Sequence, residues 1–331
     1  MSMITDKRAK KFIEVKNENI QQSSVWDISS ILLNIFAYTG RKDLIKLSTV
    51  CRKWYNLANP IIHKSIKLTR RRYNINAIHA NTRKEAALTD AEVAKCIYHN
   101  AKHAHLVKKF KYYYVLEPRR AIEVFETFRF ICNLTIERCN VSQYQFLRMI
   151  SPLTQLQELT LSEFGIKMVI KERAYNEAAV QLPLCLKILR LENIILADNQ
   201  KLFIQTINSH RNLIEFSTCS TASNEFLEPF YRHYPSLLSF EFNNLRLQTS
   251  QSLFTVLENN PQLISLKLSL GDWRSELVNH INSCMINLEE LKLCEIICND
   301  MNFFAKFTQP TKIKKLNLEW VGFKLLYQFA T

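Results

Sequence analysis

The sequence predicts an α/β fold: a solenoid with a parallel sheet on its concave face and helices on its convex face, preceded by a small all-α module. Three observations carry this expectation. The pattern L-x-x-L-x-L recurs from about residue 107 to the C-terminus, its first apolar position falling at Val107, Ile131, Leu156, Leu186, Leu213, Leu237, Leu263, Leu288 and Ile313, with gaps of 24, 25, 30, 27, 24, 26, 25 and 25 residues. Between these copies, QYQFLRMISPL, NQKLFIQTI, SQSLFTVLENNP and NDMNFFAKFTQP carry apolar residues at helical spacing, several ending near Pro152, Pro235, Pro261 or Pro310. Ahead of the first copy, residues 25–68 hold two further helix-spaced apolar sets.

Taken in order, residues 1–24 form a basic tail that includes Lys7, Arg8, Lys10 and Lys11. Within 25–68, Ile28, Ile31, Leu32, Ile35 and Phe36 fall at i, i+3, i+4, i+7 and i+8, one apolar face of a helix that Gly40 breaks. Leu44, Leu47, Val50, Cys51, Trp54 and Leu57 make a second periodic run, which proline ends at Asn59-Pro60. Residues 69–105 are a linker and capping helix: Thr89-Asp90-Ala91-Glu92 reads as a capping box, predicting a helix from about Asp90 to Lys102. Residues 106–331 are about nine repeats.

A unit of this length with this strand signature is a leucine-rich repeat. Positions four and six of each strand point inward, as in Leu134 and Ile136, Leu159 and Leu161, Leu189 and Leu191, Phe240 and Phe242, Leu266 and Leu268, Leu291 and Leu293, or Leu316 and Leu318. Positions three, five and seven face outward, because side chains alternate along a strand. Gly165, Gly271 and Gly322 sit at position nine or ten, where the chain must turn out of the strand. No such unit buries its apolar face alone, so stacking builds a continuous core and leaves an extended surface. Nine strands at about 4.8 Å spacing span roughly 38 Å, the reach of a folded protein or an extended peptide.

Residues 25–68 resemble the F-box, the helical motif that docks on the small Skp-type adaptor of cullin-RING ubiquitin ligases. The resemblance lies in ILLNIF, in Asp43-Leu44 followed by Leu47, in Val50-Cys51-Arg52-Lys53-Trp54, and in the closing Ile66-Lys67-Leu68. The opening Leu-Pro of that family is replaced by Asp27-Ile28-Ser29, and Thr39 stands where Leu is common. With repeats following, the chain is similar to the F-box and leucine-rich-repeat family. The resemblance implies a three-helix module in which Ile31, Leu32, Ile35, Phe36, Leu44, Leu47, Val50 and Trp54 supply adaptor contacts and the module's own core, in proportions the sequence does not divide. A helical cap shielding the end of the solenoid is the plainer alternative.

Composition excludes several chemistries. With four glycines in 331 residues there is no G-x-G-x-x-G and no G-x-x-x-x-G-K-[ST], so no glycine-rich loop cradles phosphates. No apolar run is long enough to cross a bilayer and the N-terminus lacks a secretory pattern, so a cytoplasmic or nuclear protein with nine reduced cysteines is expected, without membrane contact. Cys96, His99 and His103 share a helix face, and His280, Cys284, Cys294 and Cys298 make a second cluster, but neither reads as four convergent zinc donors. No metal, cofactor or catalytic residue is expected, and homo-oligomerisation is not implied.

Charge divides the chain: residues 1–114 hold 22 Lys and Arg against 8 Asp and Glu, whereas residues 115–331 hold 22 of each. The basic third reads as a solvated face, an import signal in KRAKK, or a nucleic-acid footprint, which lacks specificity on its own. On the outward face of the repeats, Glu137, Glu158, Glu192, Glu215 and Glu241 stand against a single Arg190, with Lys109 and Lys111 before them and Lys267, Lys292 and Lys315 after. Target contact through Glu137, Glu158, Arg190, Glu192, Glu215, Glu241, Lys267 and Lys292 is one reading, with the centre preferring a basic or hydroxyl-rich partner; solubility of a solvated strand face is the other. Two irregularities stand out: the 30-residue third repeat, with its surplus in GIKMVIKERAYNEAAVQLP, and Thr218, Thr221 and Ser223 at normally apolar positions of the fifth.

The resulting expectation is a non-enzymatic substrate-recognition subunit of an SCF-type ubiquitin ligase. Its partners would be the Skp-type adaptor with its cullin core and a protein target of unknown identity, with no role for nucleic acid. The alternative is a non-ligase repeat scaffold, nuclear and nucleic-acid-associated through its basic first third.

Overall fold

The computed structural model describes residues 25–68, 82–113, 118–166, 181–196, 200–219, 224–244, 251–270, 275–294 and 312–319. They fall into two compact units that divide between Ser65 and Ile66.

The first unit is three helices, α1 (Val25–Tyr38), α2 (Arg41–Ser48) and α3 (Arg52–His63). Phe36, Leu44, Ala58 and Ile62 form its core, with Leu32, Leu47, Trp54, Leu57 and Ile61 packed against them. The Phe36 and Trp54 rings meet edge to face at 5.6 Å, the arrangement their quadrupoles favour. The second periodic run is two helices, not one. The backbone N–H groups of Thr49 and Val50 donate to the carbonyls of Lys46 and Leu47, closing tight turns that stop α2. Cys51 is then extended, and its sulfur accepts from the Trp54 N–H as the N-cap of α3. Pro60 lies inside α3 instead of ending it. Proline there forfeits a hydrogen bond and crowds the carbonyl of Asn56, but Ile61 and Ile62, held by the core, carry the helix one further turn.

The second unit is a leucine-rich-repeat solenoid built on a ten-stranded sheet: β1 (Ser65–Leu68), β2 (Lys109–Tyr113), β3 (Asn133–Glu137), β5 (Glu158–Ser162), β7 (Ile188–Glu192), β9 (Glu215–Cys219), β10 (Ser239–Asn244), β11 (Ser265–Leu270), β12 (Glu290–Cys294) and β13 (Lys315–Glu319), adjacent in that order. Strand pairs from β2 to β13 are parallel and in register, so Leu134, Leu159, Leu189, Phe216, Phe240, Leu266, Leu291 and Leu316 align at position four. The sheet has one strand more than the nine expected. Ile66-Lys67-Leu68, read in sequence as the close of the helical module, supplies it: Ile66 is buried in the repeat core while Lys67 is exposed.

Short strands β4 (Asn140–Val141), β6 (Gly165–Ile166) and β8 (Ile195–Leu196) form a second parallel sheet. Helices α4 (Thr82–Asn100), α5 (Pro118–Thr127), α6 (Gln143–Ile150), α7 (Gln200–Asn208), α8 (Gln251–Asn259) and α9 (Ser275–Cys284), with 3₁₀ segments Ala101–Leu106 and Asn224–Phe230, complete the described returns. Ser142 and Gln145 make a true capping box for α6. The box expected at Thr89 is not used, because α4 already begins at Thr82 and continues through it. The returns at 299–310 and the third-repeat surplus at 167–180 lie outside the described residues, as do Thr221, Ser223, Gly271, Gly322, Cys298 and the segment after Phe323.

The turn out of the strand is made by position eight, where Arg138, Glu163 and Asn193 adopt left-handed φ of 56°, 47° and 51°. Their N–H groups still reach the next strand, donating to the carbonyls of Ser162, Glu192 and Cys219. Gly165 has no positive φ; a Cβ there would meet the side-chain oxygen of Asn140, which would have to move aside.

Three consecutive repeats also share a buried polar residue three positions before the pattern begins: His210, Tyr234 and Asn260. His210 Nε2 lies 2.7 Å from the Leu186 carbonyl, and the Tyr234 hydroxyl donates to the His210 carbonyl while accepting from the Leu213 N–H. Asn260 accepts from the Tyr234 N–H and donates to the Phe230 and Val256 carbonyls. Each side chain thus satisfies backbone groups of its own or a neighbouring repeat, which are costly to leave unpaired in a core.

Candidate functional site

Two surfaces present themselves, one on each unit. On the helical unit the core takes one face of α1, at Leu32 and Phe36, and leaves the next face bare. Ile31, Ile35 and Tyr38, spaced i, i+4 and i+7, are 56%, 53% and 94% exposed. Leu33, Ile45, Val50 and Tyr55 are exposed as well. A unit of this size showing so many large apolar side chains resembles an interaction surface more than a finished exterior.

The structure thereby divides the eight residues that sequence grouped together. Phe36 and Leu44, at 1% and 3% exposure, fall on the core side of that division. Leu32, Leu47 and Trp54 lean on that core, while Ile31, Ile35 and Val50 face outward. Tyr38 was legible from the same i, i+4, i+7 spacing. Leu33, Ile45 and Tyr55 carry no sequence signal that separates them from core residues.

On the repeat unit the alternation of half-buried and buried residues along β3, β5 and β7 places all outward positions on one open face. The eight expected target-contact residues lie there, but their charges are mostly answered. Lys111 from β2 reaches Glu137 at 2.6 Å. Arg190 bridges Glu158 on one side and Glu215, at 2.7 Å, on the other, while Asn133 donates to Glu158 as well. Lys267 pairs with Glu241, Lys292 with Glu319 at 2.6 Å, and Lys315 with Glu290 at 2.5 Å. The sequence row of free glutamates is therefore a cross-strand lattice of ion pairs. Glu192 alone of the five central carboxylates makes no side-chain ion pair among the described residues, and the Arg190 triad keeps one carboxylate in excess.

The lattice sets the ionisation of its members. The Glu137 carboxylate accepting from Lys111 raises that ammonium's pKa, and Glu319 does the same for Lys292. Lys315 and Lys292 hold Glu290 and Glu319 below the usual carboxylate range. Burial pushes the Cys294 thiol up, and that thiol donates to Glu319. At the first strands the balance differs: Lys67 and Lys111 both lie over the Tyr113 ring, at 5.5 and 4.9 Å, and Lys108 and Arg129 lie over Phe130, at 5.2 and 5.3 Å.

Of the two clusters considered for zinc, Cys284 and His280 approach within 3.7 Å along α9, whereas Cys294 bonds across the sheet instead. Asn100 donates to the Cys96 carbonyl on α4. Among the described residues no group of three or more metal-ligating side chains converges, and no helix is long and apolar enough to cross a membrane.

Comparison with known family models matches residues 29–69, within the helical unit and the start of the sheet, to the F-box-like domain. The chain thus joins an F-box-like domain to a leucine-rich-repeat solenoid. Among solved structures it is similar to an internalin (inlF) from Listeria monocytogenes, at 14% identity and a TM-score of 0.36, over 64% of this chain and 67% of that one. No curated protein matches the sequence.

Proposed function

We propose that this protein is a non-enzymatic substrate receptor of an SCF-type ubiquitin ligase. Its F-box-like domain engages a Skp-type adaptor, and its repeats hold a target protein. The observation that carries the reading is the bare stripe Ile31, Ile35 and Tyr38, inside a segment that matches the F-box-like domain and beside a core already complete without it. Catalysis by such a receptor is proximity: it raises the effective concentration of target lysines near a charged ubiquitin-carrying enzyme.

The experiment is capture of the purified Skp-type adaptor by the full chain and by Ile31→Asp/Ile35→Asp. Fully burying an isoleucine is worth about 1.5–3 kcal/mol, so two half-exposed side chains contribute roughly 2 kcal/mol of contact, about thirtyfold in affinity, before the cost of desolvating aspartates is added. Adaptor capture should vanish while the far-ultraviolet spectrum and melting temperature stay unchanged. Phe36→Ala is the contrast, costing about 3–5 kcal/mol of stability by leaving a core cavity. Undiminished capture by the double aspartate variant would remove the proposal's basis.

A further inference from the structure

We propose that the first two strands of the sheet form a subsite for an acidic, extended stretch of the target polypeptide. This rests on the reading of the repeats as a target-holding surface and names the chemistry of one part of it. On β1 and β2 the open face carries Lys67, Lys109 and Lys111 and no carboxylate. Among the described residues the carboxylate that reaches this end is Glu137 on β3, paired with Lys111. Across β3, β5, β7, β9 and β10 the sign reverses, with five glutamates against Arg190. The face is therefore ordered along the sheet, cationic at its start and anionic through its middle.

The cationic end is built rather than incidental. Two ammonium groups crowd the Tyr113 ring, and two more cations crowd Phe130 where β2 and β3 begin. Ring faces hold cations in place, but like charges gathered around them repel one another and are relieved by an incoming anion. Lys109 and Lys111 stand two residues apart on one strand, about 6.6 Å at the usual rise, which equals the spacing of alternate side chains in an extended peptide. Carboxylates at every second residue of such a peptide would meet them in register.

A polypeptide fits better than a nucleic acid. Of the five cations at this end, Lys67, Lys108, Lys109, Lys111 and Arg129, Lys111 is already paired with Glu137, which leaves four to neutralise phosphates, fewer than the roughly six to ten contacts of strongly salt-dependent nucleic-acid complexes. Cations already lie over both aromatic rings, Tyr113 and Phe130, and compete there with the base stacking by which single-stranded nucleic acid is held.

The test uses the full chain and a fluorescein-labelled 12-residue peptide of alternating Glu and Ser, followed by anisotropy at low and physiological salt. A Lys-Ser peptide and a 12-nucleotide oligothymidine serve as comparison probes. The wild type should bind the Glu-Ser peptide in preference to both. Lys67→Gln/Lys109→Gln/Lys111→Gln should weaken it about tenfold, three surface ion pairs at roughly two- to threefold each. The basic stretches at Lys7–Lys11 and Arg70–Arg72 are unchanged in that variant, so the difference isolates the sheet. If the triple variant fails to fold, Lys67→Gln/Lys109→Gln, at two exposed positions, carries the same test with about a fivefold loss. No binding by the wild type, or equal binding by the variants, overturns the subsite. Tighter binding of the oligothymidine, lost on the same substitutions, overturns it in favour of nucleic acid. Adaptor capture by the wild type is measured alongside: a wild type that fails to capture the adaptor defeats the ligase reading alone, and a wild type that captures the adaptor but does not bind the Glu-Ser peptide defeats the subsite alone.

Discussion

Replacing Arg190 by glutamine tests whether the ion-pair lattice holds the repeats in register or merely decorates them. Arg190 projects from position five of β7 and ties together Glu158 of β5 and Glu215 of β9, with side chains 29%, 26% and 28% exposed. Without the guanidinium, two carboxylates remain on strands flanking β7, about 10 Å apart at two strand spacings. Their repulsion is about 0.4 to 1.7 kcal/mol for effective dielectric constants from ~80 to ~20. Two lost partly exposed pairs add up to about 1 kcal/mol each. The variant should therefore be about 2 kcal/mol less stable in urea denaturation at low salt, and the deficit should shrink in 1 M sodium chloride, where the Debye length is about 3 Å. Glu158→Gln/Arg190→Gln/Glu215→Gln removes the charges together and should return to within about 1 kcal/mol of the wild type, because the penalty comes from stranded charge more than from missing attraction. A triple variant as unstable as the single one, or a deficit indifferent to salt, would show that the electrostatic account is mistaken.

Two further outcomes follow from buried polar groups. Burial lowers the pKa of His210, so the native state keeps it neutral while the unfolded chain takes up a proton near pH 6.5. Its contribution to stability is then complete above about pH 6.5 and is lost as the pH falls from there toward the folded value. The melting temperature should drop between pH 7 and pH 5 in the wild type and less steeply in His210→Gln; parallel slopes would assign the acid sensitivity elsewhere. The Tyr112 hydroxyl, at an inward position of β2, has no hydrogen-bond partner among the described residues, and burial pushes its pKa far above the ordinary phenol value. Tyr112→Phe should therefore raise the urea midpoint, by about 1 kcal/mol of stability, and a fall in the midpoint would mean that the hydroxyl is satisfied after all.

The solenoid was written in the sequence because its rule is local and repeated. A side chain at position four or six enters the core where neighbouring repeats cover it, so spacing places Leu134, Leu159 and Leu189 in one buried row, while Leu316 at the same position of the last described strand stays 43% exposed. The same holds for α1, whose face is set by a 3.6-residue period. What spacing could not supply was partnership. Charges at positions three, five and seven sit on neighbouring strands some 25 residues apart in sequence, and only the register of the stacked strands decides that Arg190 falls between Glu158 and Glu215. The division of Phe36 from Ile35 was equally hidden, since both are apolar residues of one helix, and only the packing of α2 and α3 against it determines which is covered. Short segments near ends also misled: Ile66-Lys67-Leu68 is too brief for periodicity to separate a module's close from a sheet's first strand, and the Pro60 signal yielded to the tertiary packing of Ile61 and Ile62. Sequence by itself determined the architecture, because hydrophobic burial repeats with the chain. Tertiary structure alone decided which surface residues remain free to bind, because freedom depends on neighbours that the chain brings from elsewhere.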